Sequence, residues 1–315
     1  MSAPLDLVAG GSGFIGSHLV RLLLAEGRRV RVLDDLATGY RRNLDGLEVD
    51  FHQGDAADPA AAAAACAGVA RVYQLAARPS VPWSVEHPKE AEHANHGTTL
   101  ALLDAAGAAG IESFVFSSSS AIYGDDPVQP KREDLPPAPQ SPYAEHKLAG
   151  ERALAAAAAP RTVSLRYFNV YGPRQDPSSP YSGVISLFAR WARAGERVRY
   201  HGDGGQTRDF VYAADVARAN YLAGAAAAAG ELAQGAVFNI GTGHSVSIRE
   251  LWEGLCAALG REPGEAELME PRAGDVRHSS ADVSAAAAAF GFHAAVPLEE
   301  GLRRTLESIA AEDPA

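Results

Sequence analysis

Cysteine is scarce in this sequence of 315 residues, which contains only Cys66 and Cys256. The two lie far apart and lack the spacing of metal ligands, which argues against a disulfide scaffold and a structural zinc site. Long apolar runs are also missing, and none approaches the roughly 18 residues that a membrane-spanning helix needs. The first residues lack a basic segment followed by an apolar one, the mark of a secretory signal. We therefore expect a cytoplasmic protein with two packed thiols and no membrane association.

Positive charge is also in deficit. The chain has 28 Lys and Arg against 39 Asp and Glu, a net charge of -11 at pH 7. A chain with this balance is a poor partner for nucleic acid or an anionic membrane surface. An anionic ligand must therefore meet a local cluster of basic side chains. The length is sufficient for one large domain or two unequal ones with an ample core.

The amino terminus carries a strand, a glycine turn and a helix in succession. Residues 5–9 predict a buried strand, and an apolar helix is predicted over residues 17–25. Between them, Gly10, Gly13 and Gly16 permit a tight turn, close approach of a pyrophosphate to the backbone, and close packing of helix on strand. The helix N-terminus would face the anion. This order predicts a dinucleotide site, although glycine-rich surface turns also occur.

A pair of acids follows the second predicted strand, residues 29–33. Asp34 lies 18 residues after Gly16, close to the spacing of about 20 expected for the acid that binds the ribose. Together with Asp35 it would repel a 2′-phosphate. The predicted cofactor is therefore NAD rather than NADP.

Strand and helix patterns continue to alternate through the first half of the chain, which predicts an α/β fold with a Rossmann-type doubly wound parallel sheet. Beyond about residue 170 the pattern loosens into loops rich in Pro and Gly, which predicts a smaller C-terminal α/β substrate-binding domain. We place the NAD-binding domain at residues 1–169 and the mainly nucleotide-sugar-binding domain at residues 170–315. A later strand near residues 236–240 is expected to return to the first sheet.

Tyr143 and Lys147 are four residues apart and so share one face of a helix. A free tyrosine has a pKa of about 10, so a base near pH 7 needs it lowered by roughly three units, which a nearby cation supplies in part. Four serines, residues 117–120, follow a strand predicted to end at Phe116, at the sheet edge where ligands bind. A hydroxyl can both donate and accept a proton. The alternatives are a chance pair on a solvated helix and a polar loop.

Two further motifs accompany these. Tyr123 and Gly124 follow the serines, and residues 165–174 read LRYFNVYGPR. The whole set resembles the extended short-chain dehydrogenase/reductase family, and within it the NAD-dependent nucleotide-sugar 4-epimerases of the UDP-glucose and UDP-N-acetylglucosamine type. The resemblance covers nearly the whole chain. It implies that Tyr143 is the acid/base, that Lys147 lowers its pKa and holds the nicotinamide ribose, and that Ser119 binds the sugar 4-hydroxyl.

The same resemblance implies tightly bound NAD, a UDP-sugar substrate, a homodimer and no metal. Its implied cofactor contacts are Gly10, Gly13, Phe14, Ile15, Gly16, Asp34, Asp35, Thr38, Gly39, Asp55, Ala56, Leu75, Ala76, Ala77, Arg78, Asn95, Ser117, Tyr143, Lys147 and Tyr167. Its implied substrate contacts are Ser80, Ser84, Ser119, Tyr143, Asn169, Val184, Tyr200, Arg208, Arg272, Asp275 and Ser279.

Four of the substrate contacts have implied partners on the nucleotide. The two arginines, Arg208 and Arg272, would bind the diphosphate, since the forked guanidinium binds phosphate in a bidentate manner. Asp275 would bind the nucleotide ribose. Tyr200 would lie by the uracil, although an aromatic side chain there could equally belong to the core.

Three positions indicate the reaction and the sugar. Relatives that dehydrate sugars carry an acidic or closely related pair directly after the catalytic hydroxyl, where this chain has Ser120 and Ala121. Ser279 aligns with a bulky aromatic in members restricted to UDP-glucose and UDP-galactose, so it leaves room for an N-acetyl group. The sequence thus predicts 4-epimerisation of UDP-N-acetylhexosamines, alongside plain hexoses, through a 4-keto sugar. A nucleotide-sugar dehydratase, decarboxylase or 4-keto reductase stays an alternative, as does a non-catalytic NAD-binding regulator.

Two local features do not fit this prediction directly. His93 and His96 have the i,i+3 spacing of a metal pair, but the hydride mechanism needs no metal, so we expect a solvated helix there. Trp83 lies between Ser80 and Ser84, where a large aromatic side chain is unexpected.

Overall fold

Strands and helices alternate in the computed structural model, which describes residues 3–176, 183–271 and 276–312. The strands are β1 (Leu5–Ala9), β2 (Arg29–Asp34), β3 (Asp50–Gln53), β4 (Arg71–Gln74), β5 (Ser113–Ser119), β6 (Arg161–Tyr167), β7 (Asn169–Tyr171), β8 (Arg199–His201), β9 (Thr207–Tyr212), β10 (Ala236–Ile240), β11 (Ser245–Ser247) and β12 (Glu267–Met269). The helices are α1 (Phe14–Ala25), α2 (Pro59–Cys66), α3 (Val81–Glu86), α4 (Pro88–Glu92), α5 (Thr98–Ala109), α6 (Pro142–Ala156), α7 (Val184–Ala194), α8 (Ala213–Ala228), α9 (Ile248–Ala258), α10 (Ser284–Phe290) and α11 (Leu298–Glu312).

Seven strands form one sheet in the order β3-β2-β1-β4-β5-β6-β10. Each neighbouring pair is parallel. The order reverses next to β1, between β1 and β4, which is the switch point where ligands bind in sheets of this kind. The predicted Rossmann-type doubly wound sheet is confirmed.

Side chains of alternate strand residues bury two apolar layers, one on each face of this sheet, as strand geometry requires. On one face, Val8 packs with residues of α1 and α8. On the other, Leu5 and Leu7 pack with residues of α2, α5 and α6. The sheet is therefore covered by helices on both faces, and its carboxyl edge stays open for a ligand.

The second half of the chain builds two small sheets and its own apolar cluster. Strand β9 pairs with β7 and β11, and β8 pairs with β12. Helices α7, α9 and α11 pack around Trp252 and Phe188. Two elements beyond residue 170 nevertheless belong with the first domain. Strand β10 pairs with β6 in the main sheet, and α8 packs on one face of that sheet. The boundary at residue 169 stays a prediction.

Strand β5 is longer than its sequence pattern predicts. It was expected to end at Phe116, but it continues through Ser119 because residues 117–119 pair with residues 165–167 of β6. Polar residues can extend a strand when a neighbouring backbone satisfies their N–H and C=O groups. The serines therefore stand on the sheet edge itself. Within the described ranges, no helix is long and apolar enough to cross a membrane.

Candidate active site

A cleft of about 1160 Å³ opens at the carboxyl edge of the main sheet. Nearly every residue predicted to contact the cofactor lines it, from the glycine turn after β1 to Tyr143 and Lys147 on α6. Asn95 is the exception. It is buried behind the cleft wall, where its side-chain carbonyl accepts the Arg78 backbone N–H at 2.8 Å. Asn95 therefore supports the loop that follows β4.

The glycine turn places the first turn of α1 in this cleft. A Cβ on Gly16 would lie 2.1 Å from the Gly10 carbonyl oxygen, so only glycine allows α1 to approach the turn this closely. No side chain caps the helix at Gly13. Phe14 and Ile15 in the first turn line the cleft. The uncapped N–H groups of a helix N-terminus bind anions well, so this cradle fits a dinucleotide diphosphate.

Two carboxylates stand at the end of β2. The buried Asp34 accepts backbone N–H groups from Ser12 at 2.8 Å and Leu36 at 2.9 Å. Burial raises the pKa of Asp34, and these hydrogen bonds oppose that shift. The neighbouring Asp35 is exposed, and both acids line the cleft. Carboxylates accept hydrogen bonds from ribose hydroxyls and repel a phosphate, so this end of the cleft fits NAD.

The proton-transfer residues meet where β5 ends. Tyr143 forms a hydrogen bond with the Ser119 hydroxyl. The Lys147 ammonium donates to the Ser117 backbone carbonyl at 2.6 Å. The Ser117 hydroxyl lies 2.9 Å from the Tyr167 hydroxyl, which donates to Asn220. The predicted serine, tyrosine and lysine are thus brought together by α6 and the edge of the sheet.

The electrostatics of this group differ from the sequence expectation in one respect. Burial lowers the pKa of Lys147 to about 8. Burial also raises the pKa of Tyr143, and only the hydrogen bond with Ser119 opposes this. The Lys147 nitrogen is 5.8 Å from the centroid of the Tyr143 ring and is engaged by the Ser117 carbonyl. Burial thus outweighs the hydrogen bond from Ser119, and the pKa of Tyr143 lies above its ordinary value.

Helix α6 is held in place at its first turn. The Ser141 side chain caps it by accepting the Ala144 N–H at 3.2 Å, and Pro142 occupies the first helical position, where proline is favoured. The Ser84 hydroxyl accepts the Tyr143 backbone N–H at 3.2 Å and donates to the Val81 carbonyl at 2.7 Å. Ser84 is fully buried. The prediction that it contacts the sugar is not supported by this burial, because its hydroxyl already accepts from one backbone group and donates to another.

The other residues predicted to bind the substrate are more scattered. Ser80 lines the cleft, and its hydroxyl caps α3 by accepting the Trp83 N–H at 3.1 Å. Four residues are partly exposed and lie outside the cleft lining: Asn169, Val184, Arg208 and Ser279. The segment that carries Ser279 is held on β9 by its N–H, which donates to the Thr207 carbonyl at 3.1 Å. Arg272 and Asp275 lie outside the described residues.

Tyr200 is a core residue, as one of its two interpretations predicts. Only 3% of it is exposed. Its ring packs against Phe188, and the Arg249 guanidinium lies 5.6 Å from the ring centroid. The ring is thus in contact with side chains of the same protein, and this packing does not support the prediction that it lies against a uracil.

Several cleft residues were not predicted from the sequence. They include Tyr40, Asn43, Trp83, Lys89, Glu90, His93, Arg174, Gln175 and Asp176. The Tyr40 hydroxyl donates to the Asp176 carboxylate at 2.6 Å, and the His93 Nε2 atom lies 2.7 Å from the Asp55 carboxylate. Each pair joins residues far apart in the chain. No sequence motif marks them, since only the folded topology brings them together.

A parallel sheet with a glycine turn, two acids and a Tyr–Lys pair at its carboxyl edge defines a dinucleotide-dependent enzyme of the short-chain dehydrogenase/reductase class. Residues 7–241 match the NAD dependent epimerase/dehydratase family. The chain belongs to this family. The predicted family resemblance and the predicted cofactor, NAD, are thereby confirmed.

Characterised relatives extend over the whole chain. The UDP-glucose 4-epimerase of Mycolicibacterium smegmatis is 38% identical over 315 residues, with 96% of this chain and 97% of that protein covered. The structure of UDP-N-acetylglucosamine 4-epimerase from Methanobrevibacter ruminantium, in complex with UDP-N-acetylmuramic acid, is 34% identical with a TM-score of 0.91, covering 99% of this chain and 100% of that one. That of UDP-glucose 4-epimerase from Thermotoga maritima, with UDP-glucose, is 37% identical with a TM-score of 0.90, covering 98% and 99%.

Proposed function

We propose that this protein is a UDP-sugar 4-epimerase that acts on UDP-N-acetylhexosamines and on the plain UDP-hexoses. The observation that carries the proposal is the group formed by Ser119, Tyr143 and Lys147 at the edge of a cleft that fits NAD. Relatives with both kinds of sugar in their names share the fold over nearly the full chain. The homodimer implied by the family resemblance is part of the same proposal.

Each residue of the group has a separate task. NAD, when bound, supplies the hydride acceptor and donor for the sugar C4. Tyr143 accepts the proton of the C4 hydroxyl, directly or through Ser119, and returns it later. Lys147, fixed on the Ser117 carbonyl, keeps a positive charge beside the tyrosine. The sugar passes through a 4-keto form, and its rotation about the link to the diphosphate exposes the opposite face.

Three small side chains support this reaction and this choice of sugar. Positions 120 and 121 hold Ser120 and Ala121, which cannot remove a C5 proton as a carboxylate does, so dehydration lacks its base. By the family resemblance, Ser279 aligns with the bulky aromatic of hexose-restricted relatives, and it is partly exposed. A serine there leaves space for an N-acetyl group. Asn169, Arg208, Arg272 and Asp275 remain proposed contacts of the UDP-sugar.

The test is an NMR assay of the purified protein with UDP-glucose, UDP-galactose and their two N-acetyl counterparts, without added NAD. We expect each C4 epimer to form from its partner, with NAD carried along by the protein. Turnover of the plain hexoses alone would contradict the choice of sugar. Mass spectrometry separates the other reactions, because epimerisation leaves the mass unchanged whereas a dehydratase removes water. A protein that binds NAD and turns over no sugar would be the non-catalytic alternative.

A further inference from the structure

Three consecutive residues at the end of β5 are held by three residues of α6. Ser119 contacts Tyr143, and the Ser117 carbonyl accepts the Lys147 ammonium. Between them, the Ser118 hydroxyl donates to the Glu151 carboxylate at 2.6 Å. Tyr143, Lys147 and Glu151 follow one another at intervals of four residues, so they occupy one face of the helix. Glu151 is the member of this row that the proposed mechanism leaves without a task.

Glu151 is also tied to the next strand of the sheet. Its carboxylate accepts Arg166 Nε at 2.9 Å and Arg166 Nη2 at 2.7 Å, a bidentate pair. Both side chains are buried, with 4% of Arg166 and 5% of Glu151 exposed. A buried ion pair adds little net stability over apolar residues of the same size. Stability alone therefore does not account for charged groups at this place.

We propose that Glu151, held in place by its ion pair with Arg166, is a positioning residue that aligns α6 with the end of β5 and keeps the Lys147 ammonium charged. The inference rests on the proposed function, since its purpose is to hold Tyr143 and Lys147 ready for proton transfer. Glu151 acts through these residues and through Ser118.

The charges around Lys147 make Glu151 the carboxylate that matters. Burial lowers the pKa of Lys147 to about 8, and the negative charge of Glu151 opposes that shift. The other charged or titratable groups around this row lie on three sides. Glu145 and His146 are on α6, and Glu92 and His96 lie beside His146. Arg166 and Tyr167 are on β6, with Tyr123 and Glu133 near Arg166 and Tyr143 near Tyr167. Arg166 forms the ion pair with Glu151, so removal of Glu151 alone leaves the buried Arg166 guanidinium without this carboxylate.

The composition of the chain allows a direct measurement. It contains three lysines, Lys89, Lys131 and Lys147. NMR of the NAD-bound protein labelled with carbon-13 at the lysine ε-carbon therefore gives three signals, and Lys89→Arg and Lys147→Arg assign them. Titration of the Lys147 signal reports its protonation without any need for turnover.

Glu151→Gln is the main variant, because it keeps the size of the side chain and removes its charge. We expect the Lys147 titration to move to lower pH by about one unit. The alkaline limb of the kcat profile for epimerisation should move with it, since activity needs the charged ammonium. Ser118→Ala is the matched control. It removes one hydrogen bond of the same carboxylate and no charge, so the Lys147 titration should stay in place.

Two further variants keep the inference testable if Glu151→Gln does not fold. Glu151→Asp retains the charge on a shorter stem, so kcat should fall several-fold at unchanged KM while the Lys147 titration stays near that of the parent. Glu151→Gln combined with Arg166→Met removes both charges, and the Lys147 titration should lie below that of the parent by less than one unit. A purely structural pair would lower the melting temperature of these variants without moving the titration.

An unmoved Lys147 titration in folded Glu151→Gln, or in the double variant if only that folds, overturns the inference. The outcome is separate from that of the proposed function. If the Lys147 titration moves as expected and the parent converts no UDP-sugar, the positioning role stands and the proposed reaction fails. If the parent epimerises UDP-sugars and the titration does not move, the reverse holds.

Discussion

The site has two halves, the cofactor cleft and a proposed substrate region outside its lining, and they are built in different ways. The cofactor half consists of residues at the ends of adjacent parallel strands, β1, β2, β4 and β5, and of the helices that follow them. The proposed substrate residues Asn169 and Arg208 lie on a separate small sheet, and Ser279 follows a loop. The first half is one continuous edge, whereas the second depends on how several loops come together.

This difference has a physical origin. In a parallel sheet, hydrogen bonding between neighbouring strands aligns their ends, so residues that follow the strands meet whatever the lengths of the connections. Short strands such as β7 and β11 impose no such alignment beyond their own partners. A change in the first half should therefore disturb chemistry or folding, and a change in the second half should disturb the choice of substrate.

The largest effect is expected from Tyr143→Phe in the first half. The variant loses the hydroxyl that exchanges the proton, so kcat should fall by roughly 10²–10⁴-fold. NAD content, measured from the absorbance of the released cofactor, should stay near that of the parent.

Tyr167→Phe is the control for Tyr143→Phe. Tyr167 also lines the cleft, but its hydroxyl is used by Ser117 and Asn220. We expect a loss of less than tenfold, on the order of one neutral hydrogen bond. Equal losses in the two variants would contradict the assignment of Tyr143 as the acid/base.

Ser279→Tyr tests the second half. An aromatic ring in place of the hydroxyl should crowd an N-acetyl group and lower kcat/KM for UDP-N-acetylglucosamine relative to UDP-glucose by roughly 10–200-fold. Ser279→Ala, which stays small, should leave the ratio unchanged. A ratio that Ser279→Tyr does not alter would mean that the N-acetyl group does not lie beside Ser279. Progress curves with the two substrates at the same enzyme concentration measure it.

Gly150→Ala tests how tightly the first half is packed. A Cβ there would lie 2.6 Å from the buried Phe116 ring, so either this ring or α6 must shift. We expect a loss of about 1–3 kcal/mol in the free energy of unfolding. Activity should fall as well, because the Lys147 nitrogen lies 4.9 Å from the centroid of the same ring.

Gly97→Ala is the matched control for Gly150→Ala. The nearest atom to its added Cβ is the Glu92 carbonyl oxygen at 3.7 Å, an ordinary contact. It should leave stability unchanged or raise it by up to about 1 kcal/mol. Urea denaturation of both variants measures the difference. A stable, fully active Gly150→Ala would show that the contact between α6 and β5 is loose.

The sequence predicts the cofactor half well because its signals are local. Gly10, Gly13 and Gly16 need only the strand before them and the helix after them to be recognised, and sheet alignment then brings Tyr143 and Lys147 to the same edge. Ser84 shows where such reasoning ends. Its hydroxyl looks available in the sequence, but in the fold it bonds to Tyr143, 59 residues away.

Residues at the junction of the two halves cannot be predicted from local sequence signals either, because their partners are distant in the chain. Tyr40 and Asp176, or His18 and Pro173, are joined only by contacts between distant segments. Tyr200 is a different case, since the sequence allowed either contact with a ligand or burial in the core. In the fold its ring packs against Phe188 and is buried.

The smallest expected effect concerns the junction, where His18 of α1 lies 3.0 Å from the Pro173 carbonyl oxygen. Burial, with the nearby Arg174 charge, lowers the pKa of His18 from near 6.5 to about 3. Below about pH 6.5 the unfolded chain therefore binds a proton at His18 that the folded chain does not bind. The contribution of His18 to the free energy of unfolding is complete above that pH and decreases as the pH falls towards 3. His18→Gln keeps an N–H for the carbonyl and cannot take up the proton.

The loss of unfolding free energy between about pH 7.5 and pH 5 should thus be smaller in His18→Gln than in the parent, by about 1–2 kcal/mol. Urea denaturation at the two pH values measures it, with His244→Gln on the exposed surface as the control. The same pH dependence in His18→Gln and the parent would mean that the junction opens enough to admit the proton. The two halves would then be joined loosely at α1, and the contrast between them would extend to their motion.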